Sequence, residues 1–320
     1  MFPMIKQVPI PTAGVMLGLV ALGNLLAPYS LALQYACGVS SAFLGILLLF
    51  KIIFHPSLIK NDMNGNSVFA SVSATFFMSI MQLCTYTVSF FPILSEVVWF
   101  AAIAGHVLLM IWFTYRYMIH FELRDVYPTY FIAYVGIVVA SVTSPAFQQQ
   151  AVGEYIFWFG FVAYAAIFAL VTVRYVSSHA ISESSKPLFC IYTAPMSLSL
   201  AGYLACVEEK SLLMILIMEI CAQGLFLIVL AKMPKLLSLP FYPSYAAFTF
   251  PFVITAIAFR QTLRYLQEIN GVVPEVLEYI VIAESLIATA IVLYVFTRYM
   301  IFFAKQAAAE RAIVKSVFKG

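Results

Sequence analysis

Three observations predict an all-α integral membrane protein with ten transmembrane spans, arranged as five repeated helical hairpins. Of 320 residues, 63% are hydrophobic and 10% charged, where a soluble domain carries about 25% charged residues. Lys51, Arg116, Arg174, Lys232 and Arg298 each close an apolar run, at gaps of 65, 58, 58 and 66 residues, and each gap holds two further apolar runs. Glu96, Glu154 and Glu278 each stand 20 residues before an Arg-Tyr pair, at Arg116-Tyr117, Arg174-Tyr175 and Arg298-Tyr299. Twenty helical residues rise roughly 30 Å, the thickness of a bilayer's hydrocarbon core. The charges therefore mark interfaces, and the repeat identifies equivalent helices.

The pattern places spans at 12–27, 31–54, 68–89, 93–119, 128–147, 152–177, 187–207, 211–233, 241–259 and 275–304, in one transmembrane domain covering residues 1–320. Pro11, Pro128, Pro187 and Pro243 open four odd-numbered spans, where a missing N–H costs nothing. Tyr127-Pro128-Thr129-Tyr130 and Tyr242-Pro243-Ser244-Tyr245 repeat one tetrapeptide at the entrances of spans five and nine. The stretch after residue 304 is basic and amphipathic and is expected to form a surface helix. No small-residue cleavage pattern follows Lys6, so no removed signal peptide is expected.

Lys and Arg are divided unevenly between the two faces. Lys6, Lys51, Lys60, Arg116, Arg124, Arg174, Lys186, Lys232, Lys235, Arg298, Lys305, Arg311, Lys315 and Lys319 fall on one side; Lys210, Arg260 and Arg264 fall on the other. The richer side should be cytoplasmic, with both termini there. With Asp and Glu included, that face carries +9 and the opposite face −4. A cell-membrane, multi-pass location follows, and the scattered basic residues exclude nucleic acid as a partner. His55, His120 and His179 follow even spans and read as interface anchors.

The odd spans contain no charged residue and are richer in Ser, Thr and Gly than the even ones. Such residues serve close helix packing or a polar passage. The odd spans are therefore expected to form an inner layer and the even spans a lipid-facing outer layer. Candidate pore-lining residues are Thr12, Gly14, Gly18, Ser73, Gly136, Ser141, Thr143, Pro195, Ser197, Thr249 and Pro251. Gly14-x-x-x-Gly18 is also a packing signal, and Pro195 and Pro251 should each bend a helix. A tightly packed bundle without a passage accommodates the same residues.

Glu219 and Glu284 lie deep in even spans. They are candidates for proton coupling or for hydrogen-bonded carboxyls between helices. His106, mid-span, reads as a core histidine before a relay. Cys37, Cys84, Cys190, Cys206 and Cys221 show no paired spacing, and no metal-ligand cluster, phosphate loop or nucleophile motif is present. Neither a metal nor another cofactor is expected, and an enzyme is disfavoured.

Pro9-Ile10-Pro11-Thr12-Ala13-Gly14, followed by Gly18-Leu19-Val20-Ala21-Leu22-Gly23-Asn24-Leu25-Leu26, resembles the opening of the tellurite-resistance/dicarboxylate transporter family. That family includes bacterial TehA and the plant slow-type anion channels. In span nine, Phe241-Tyr242-Pro243-Ser244-Tyr245-Ala246-Ala247-Phe248-Thr249-Phe250-Pro251 is similar to its aromatic-Thr-Phe-Pro run. The resemblance covers essentially the whole chain. It implies a pseudo-five-fold ring of hairpins, inner odd helices around a central pore, a homotrimer with one pore per subunit, and a phenylalanine gate that falls on Phe250. It also implies an anionic cargo: chloride or nitrate for a channel, malate for a proton-coupled permease, sulfite for an exporter. The basic cytoplasmic face would concentrate anions there and favour efflux. Arg260, at the outer end of span nine, is the one candidate for a carboxylate contact at the pore mouth.

Overall fold

The computed structural model describes residues 5–119, 122–177 and 181–317; His120, His179 and Lys319 lie outside these described residues. Every regular element among them is helical. Eight helices are long and apolar enough to cross a membrane. We label them α2 (Leu31–Phe54), α3 (Ser67–Thr87), α4 (Pro92–Met118), α6 (Gln150–Ser177), α7 (Glu183–Cys206), α8 (Leu212–Leu237), α9 (Pro243–Asn270) and α10 (Glu275–Val317). Two apolar segments are shorter. The 15-residue α1 spans Thr12–Leu26. The broken α5 comprises Tyr130–Tyr134 followed by Gly136–Phe147, alternating between α and 3₁₀ turns.

Local chemistry sets several ends. Ser30, Asn66 and Ser211 cap α2, α3 and α8 by accepting from the backbone N–H groups of Leu33, Val68 and Met214. Span nine runs on to Asn270, past its expected end at 259, because Arg260 and Arg264 lower hydropathy without breaking a helix. Gly271 ends it instead, at φ 76°, a left-handed conformation that a Cβ disfavours. The basic stretch after residue 304 continues α10 rather than forming a separate surface helix. Pro187 lies within a 3₁₀ turn that starts at Glu183, four residues before the expected beginning of span seven.

The expected bends at Pro195 and Pro251 take a specific form. In both α7 and α9 a 3₁₀ stretch (Glu183–Thr193, Pro243–Phe248) precedes the α-helical part, and the proline occupies the first turn of that part. A first-turn proline has no intrahelical bond to lose, so each junction is a change of helix type at little cost.

Odd and even elements differ in burial. The apolar windows of α3, α7 and α9 are 61–83% buried, those of α2, α4, α6, α8 and α10 only 22–39%. All but two residues of α1 are buried. Large apolar side chains such as Val39, Ile93, Val162, Ile220 and Leu286 cover the outside of the even helices. The odd elements touch one another in a closed circuit, α1 to α3, α5, α7, α9 and back to α1. Each even helix packs against its own odd partner and the next odd element along.

Each of the five evenly spaced basic residues ties the end of an even helix to the entry of the odd element before it. Lys51 Nζ donates to Val8 O (2.7 Å) before α1 and pairs with Asp62 (3.6 Å). Arg116 donates to Asn64 O before α3. Arg174 donates to Arg124 O before α5 and lies over Tyr127. Lys232 Nζ sits 3.8 Å from the ring centroid of Phe189 in α7, and Arg298 lies over Phe241 before α9. Each cation thus returns from the end of an even helix to the entry of the odd helix in its own hairpin. Two of the neighbouring tyrosines help: Tyr117 donates to Met63 O and Tyr299 to Pro243 O.

Candidate functional site

Two cavities occupy the centre of the circuit, lined by the odd elements, their entry loops and, at Pro28, the connection after α1. The first, about 180 Å³, extends from Asn66, Ser184, Tyr242 and Ser244 at the entry loops to Leu17, Met78, Val135, Leu198 and Phe250. The second, about 240 Å³, lies toward the other end, among Asn24, Gln82, Thr143, Arg260, Gln261 and Arg264, with Leu25, Val142, Ile254 and Ile257 also in its wall. On α9 the linings pass from Pro251 to Ile254, and on α3 from Met78 to Gln82. That is about 4–6 Å along these two helices, whereas on α1 the linings pass from Leu17 to Asn24, about 10 Å apart. Leu17 and Phe250 of the first wall and Ile254 of the second border this interval, and an apolar constriction there would oppose ions by excluding water.

Phe250 is 6% exposed and lies in the wall of the first cavity, at the 3₁₀-to-α junction of α9. Thr249, immediately before it, donates from Oγ1 to Gly14 O (3.0 Å) and Ala246 O (2.7 Å). The Gly14-x-x-x-Gly18 pair supplies the facing surface. A Cβ on Gly14 would lie 3.1 Å from Ala246 Cβ, and one on Gly18 would lie 2.4 Å from Thr249 Cβ and 3.2 Å from the Phe250 nitrogen. These glycines let α1 approach the backbone that carries Phe250.

Of the other residues singled out by sequence, Gly14, Gly136, Pro195 and Pro251 line the first cavity, and Thr143 and Arg260 line the second. The remaining hydroxyls, Thr12 apart, bond locally or across helices. Ser73 donates to Ala70 O, Ser141 to Gly153 O on α6, and Ser197 to Thr193 O. Thr193, Ser197 and Thr255 join α7 to α9 through hydroxyl contacts of 2.9 and 3.0 Å. Thr12 is fully buried and its hydroxyl has no partner. Thr143 accepts from Trp99 Nε1 (2.8 Å) and donates to Val139 O.

Glu219 and Glu284 are set apart from both cavities. Glu219 accepts from Thr262 Oγ1 (2.7 Å) and Gln223 Nε2 (2.9 Å), whereas Glu284 is 3% exposed and neither of its oxygens has a hydrogen-bond partner. His106 is fully buried, with Nε2 3.1 Å from Ala133 O and Nδ1 unpartnered. At the mouth of the first cavity the Tyr242 hydroxyl donates to Glu183 (2.7 Å), and that bond holds the phenol above its ordinary pKa. Among the described residues no group of three or more His, Cys, Asp or Glu could hold a metal ion.

Sequence reasoning passed over Asn24 and Gln82. The available signal was that both are amides inside otherwise apolar spans, where a polar group needs a partner or a cavity. It also passed over Leu17, Met78 and Ile254, which sequence alone does not separate from ordinary core residues.

A family model described as voltage-dependent anion channel matches residues 7–300. No curated protein matches the chain.

Proposed function

The chain belongs to the voltage-dependent anion channel family, and from that premise we propose that it passes small anions along the axis through the two cavities, with Phe250 as the gate. The observation that supports this reading is the pair of cavities lined by the odd elements, with apolar Leu17, Phe250 and Ile254 in the walls that border the interval between them. Turning the ring into or out of that interval would wet or dry it. The 3₁₀-to-α junction supplies a place for such a turn without breaking an α-helical hydrogen bond.

Ten membrane crossings in a pseudo-five-fold ring of hairpins belong to the same reading. The closed circuit of odd elements, the burial contrast and the clamp repeated in every hairpin support it. Both termini are placed in the cytoplasm by the asymmetry of Lys and Arg. The first cavity then opens inward, and the more positive inner face favours efflux. A homotrimer with one pore per subunit and a cell-membrane location complete the proposal. Chloride and nitrate are the favoured cargo, and the arginines of the second cavity would suit a carboxylate as well.

Anion flux in proteoliposomes at clamped potential tests the reading. Wild-type protein should carry a current reversing at the anion equilibrium potential, and Phe250→Ala should raise it by about tenfold, equivalent to removing roughly 1.4 kcal/mol of barrier. Silence in both proteins would sink the proposal. The second reading, a proton-coupled dicarboxylate permease or a sulfite exporter, draws on the unpartnered carboxyl of Glu284. It requires pH changes in the vesicles during malate or sulfite movement, lost in Glu284→Gln.

A further inference from the structure

The second cavity is chemically unlike the first. Two guanidinium groups, Arg260 and Arg264, line it one helical turn apart on α9, and no carboxylate is in its wall. Their roles differ. Arg260 is committed: Nη1 donates to Leu25 O (2.6 Å) at the carboxyl end of α1, Nη2 to Ser285 Oγ (3.3 Å), and the group lies over Tyr29. It satisfies a helix-end carbonyl and ties α1, α9 and α10 together. Arg264 forms no hydrogen bond or ion pair among the described residues, and Glu268, a turn further on, makes no bridge to it. The buried acids do not neutralise it. Thr262, which holds Glu219, lies about 200° around α9 from Arg264.

Across the cavity, an amide relay ends in an unspent donor. Gln34 Nε2 donates to Asn24 Oδ1 (3.3 Å), and Asn24 Nδ2 donates to Gln82 Oε1 (3.3 Å). The oxygen of Gln82 is thereby occupied, and its Nε2 donates to nothing among the described residues. A free guanidinium fork and a free amide N–H₂ thus share one cavity that has volume for a small ion. The exposed guanidinium fork of Arg264 and the buried amide of Gln82 together offer several N–H groups, which suits separate oxygens of one ion better than a single sphere.

We propose that this vestibule is a binding site for a small oxyanion, in which Arg264 attracts the ion and Gln82 receives one of its oxygens, beyond Phe250 as seen from the mouth of the first cavity. The proposal deepens the anion-channel reading and rests on it for the consequence of binding, though not for binding itself. It assigns anion discrimination to the vestibule on the Arg264 side.

The test uses the full chain with nitrate as probe and chloride as comparator. In proteoliposomes, Arg264→Gln should raise the half-saturating nitrate concentration applied from the Arg264 side by about fivefold. The maximal current should change much less. Arg264→Lys should keep the attraction but lose the preference of nitrate over chloride, and Gln82→Glu, which replaces the donor by an acceptor, should weaken nitrate most. In detergent, nitrate should raise the melting temperature of the wild type more than chloride at equal ionic strength, and this difference should vanish in Arg264→Gln. Wild-type current with an unchanged half-saturation in Arg264→Gln overturns the site. A larger effect on chloride than on nitrate overturns its assignment to oxyanions. Nitrate stabilisation that depends on Arg264 without any anion current leaves the site standing and removes the channel reading. Neither current nor stabilisation removes both.

Discussion

At Gly18 a single hydrogen atom separates two helices. A methyl group there would meet Thr249 Cβ, fixed close to the backbone, so the neighbour cannot swing away as a long side chain would. Gly18→Ala should cost about 1–3 kcal/mol, as overpacking commonly does, and a thermal melt in detergent measures it. Because the displaced backbone carries Phe250, the same variant should also alter the anion current, and an unaltered current would separate the helix contact from the gate. Glu284 gives the opposite expectation. Its carboxyl lies outside both cavity walls, so Glu284→Gln should leave the anion current within about twofold of wild type; by the scale of rate against barrier that is a change of only ~0.4 kcal/mol. A clamped-vesicle recording across pH checks this, and a collapse of current would favour the coupled permease.

At the scale of the element, α9 holds three of the features that matter: the junction at Phe250, the hydroxyl contacts to α7 through Thr255, and the two arginines. Pro251 sits in the first turn of its α-helical part and breaks no bond. Pro251→Ala should therefore shift stability by less than about 1 kcal/mol, against roughly 3 for a proline in a helix interior, while allowing the α-helix to propagate toward Ala246 and change the gating. Melting temperature and current together read both effects. The existence of this helix and its proline were legible from hydropathy and composition. Its length was not, because charge lowers hydropathy whether or not a helix continues, and the stop at Gly271 depends on a backbone angle. Nor could sequence show which hydroxyls face a lumen: Ser141 and Ser197 satisfy backbone carbonyls within the packed layers, and helical period alone does not distinguish a cavity from a neighbouring helix in a segment buried all round.

At the scale of the whole molecule, the evenly spaced cations were legible as topology markers, whereas their contacts with the entries of the odd helices required the folded chain. Arg174 is 2% exposed and bonds to Arg124 O. Arg174→Leu should lower stability by about 2–4 kcal/mol, because the carbonyl loses a charged donor and the hairpin loses its tie. Lys51→Met should act similarly at the first hairpin. The two sites share no partner, so a double variant measured by thermal or denaturant unfolding should show additive losses within about 0.5 kcal/mol; strong non-additivity would mean that the hairpins are not independent units. Unlike the clamps, the outer surface consists of apolar side chains on even helices. A lysine or arginine placed mid-helix there, for instance at Val162, should cost on the order of 2.5–3.5 kcal/mol in a bilayer.

A hairpin closed by its own cation has a consequence for synthesis. Each pair of helices can be completed as it leaves the ribosome, in order from the amino end, and the odd elements can then accrete one neighbour at a time. The last contact to form joins α9 to α1, through Gly14 and Gly18 against Ala246 and Thr249 and through Arg260 to Leu25. Phe250 and both arginines lie along this closing seam. Until α9 and α10 dock, α1 lacks one neighbour and the second cavity lacks both arginines, so the contact that closes the circuit also completes the cavity walls.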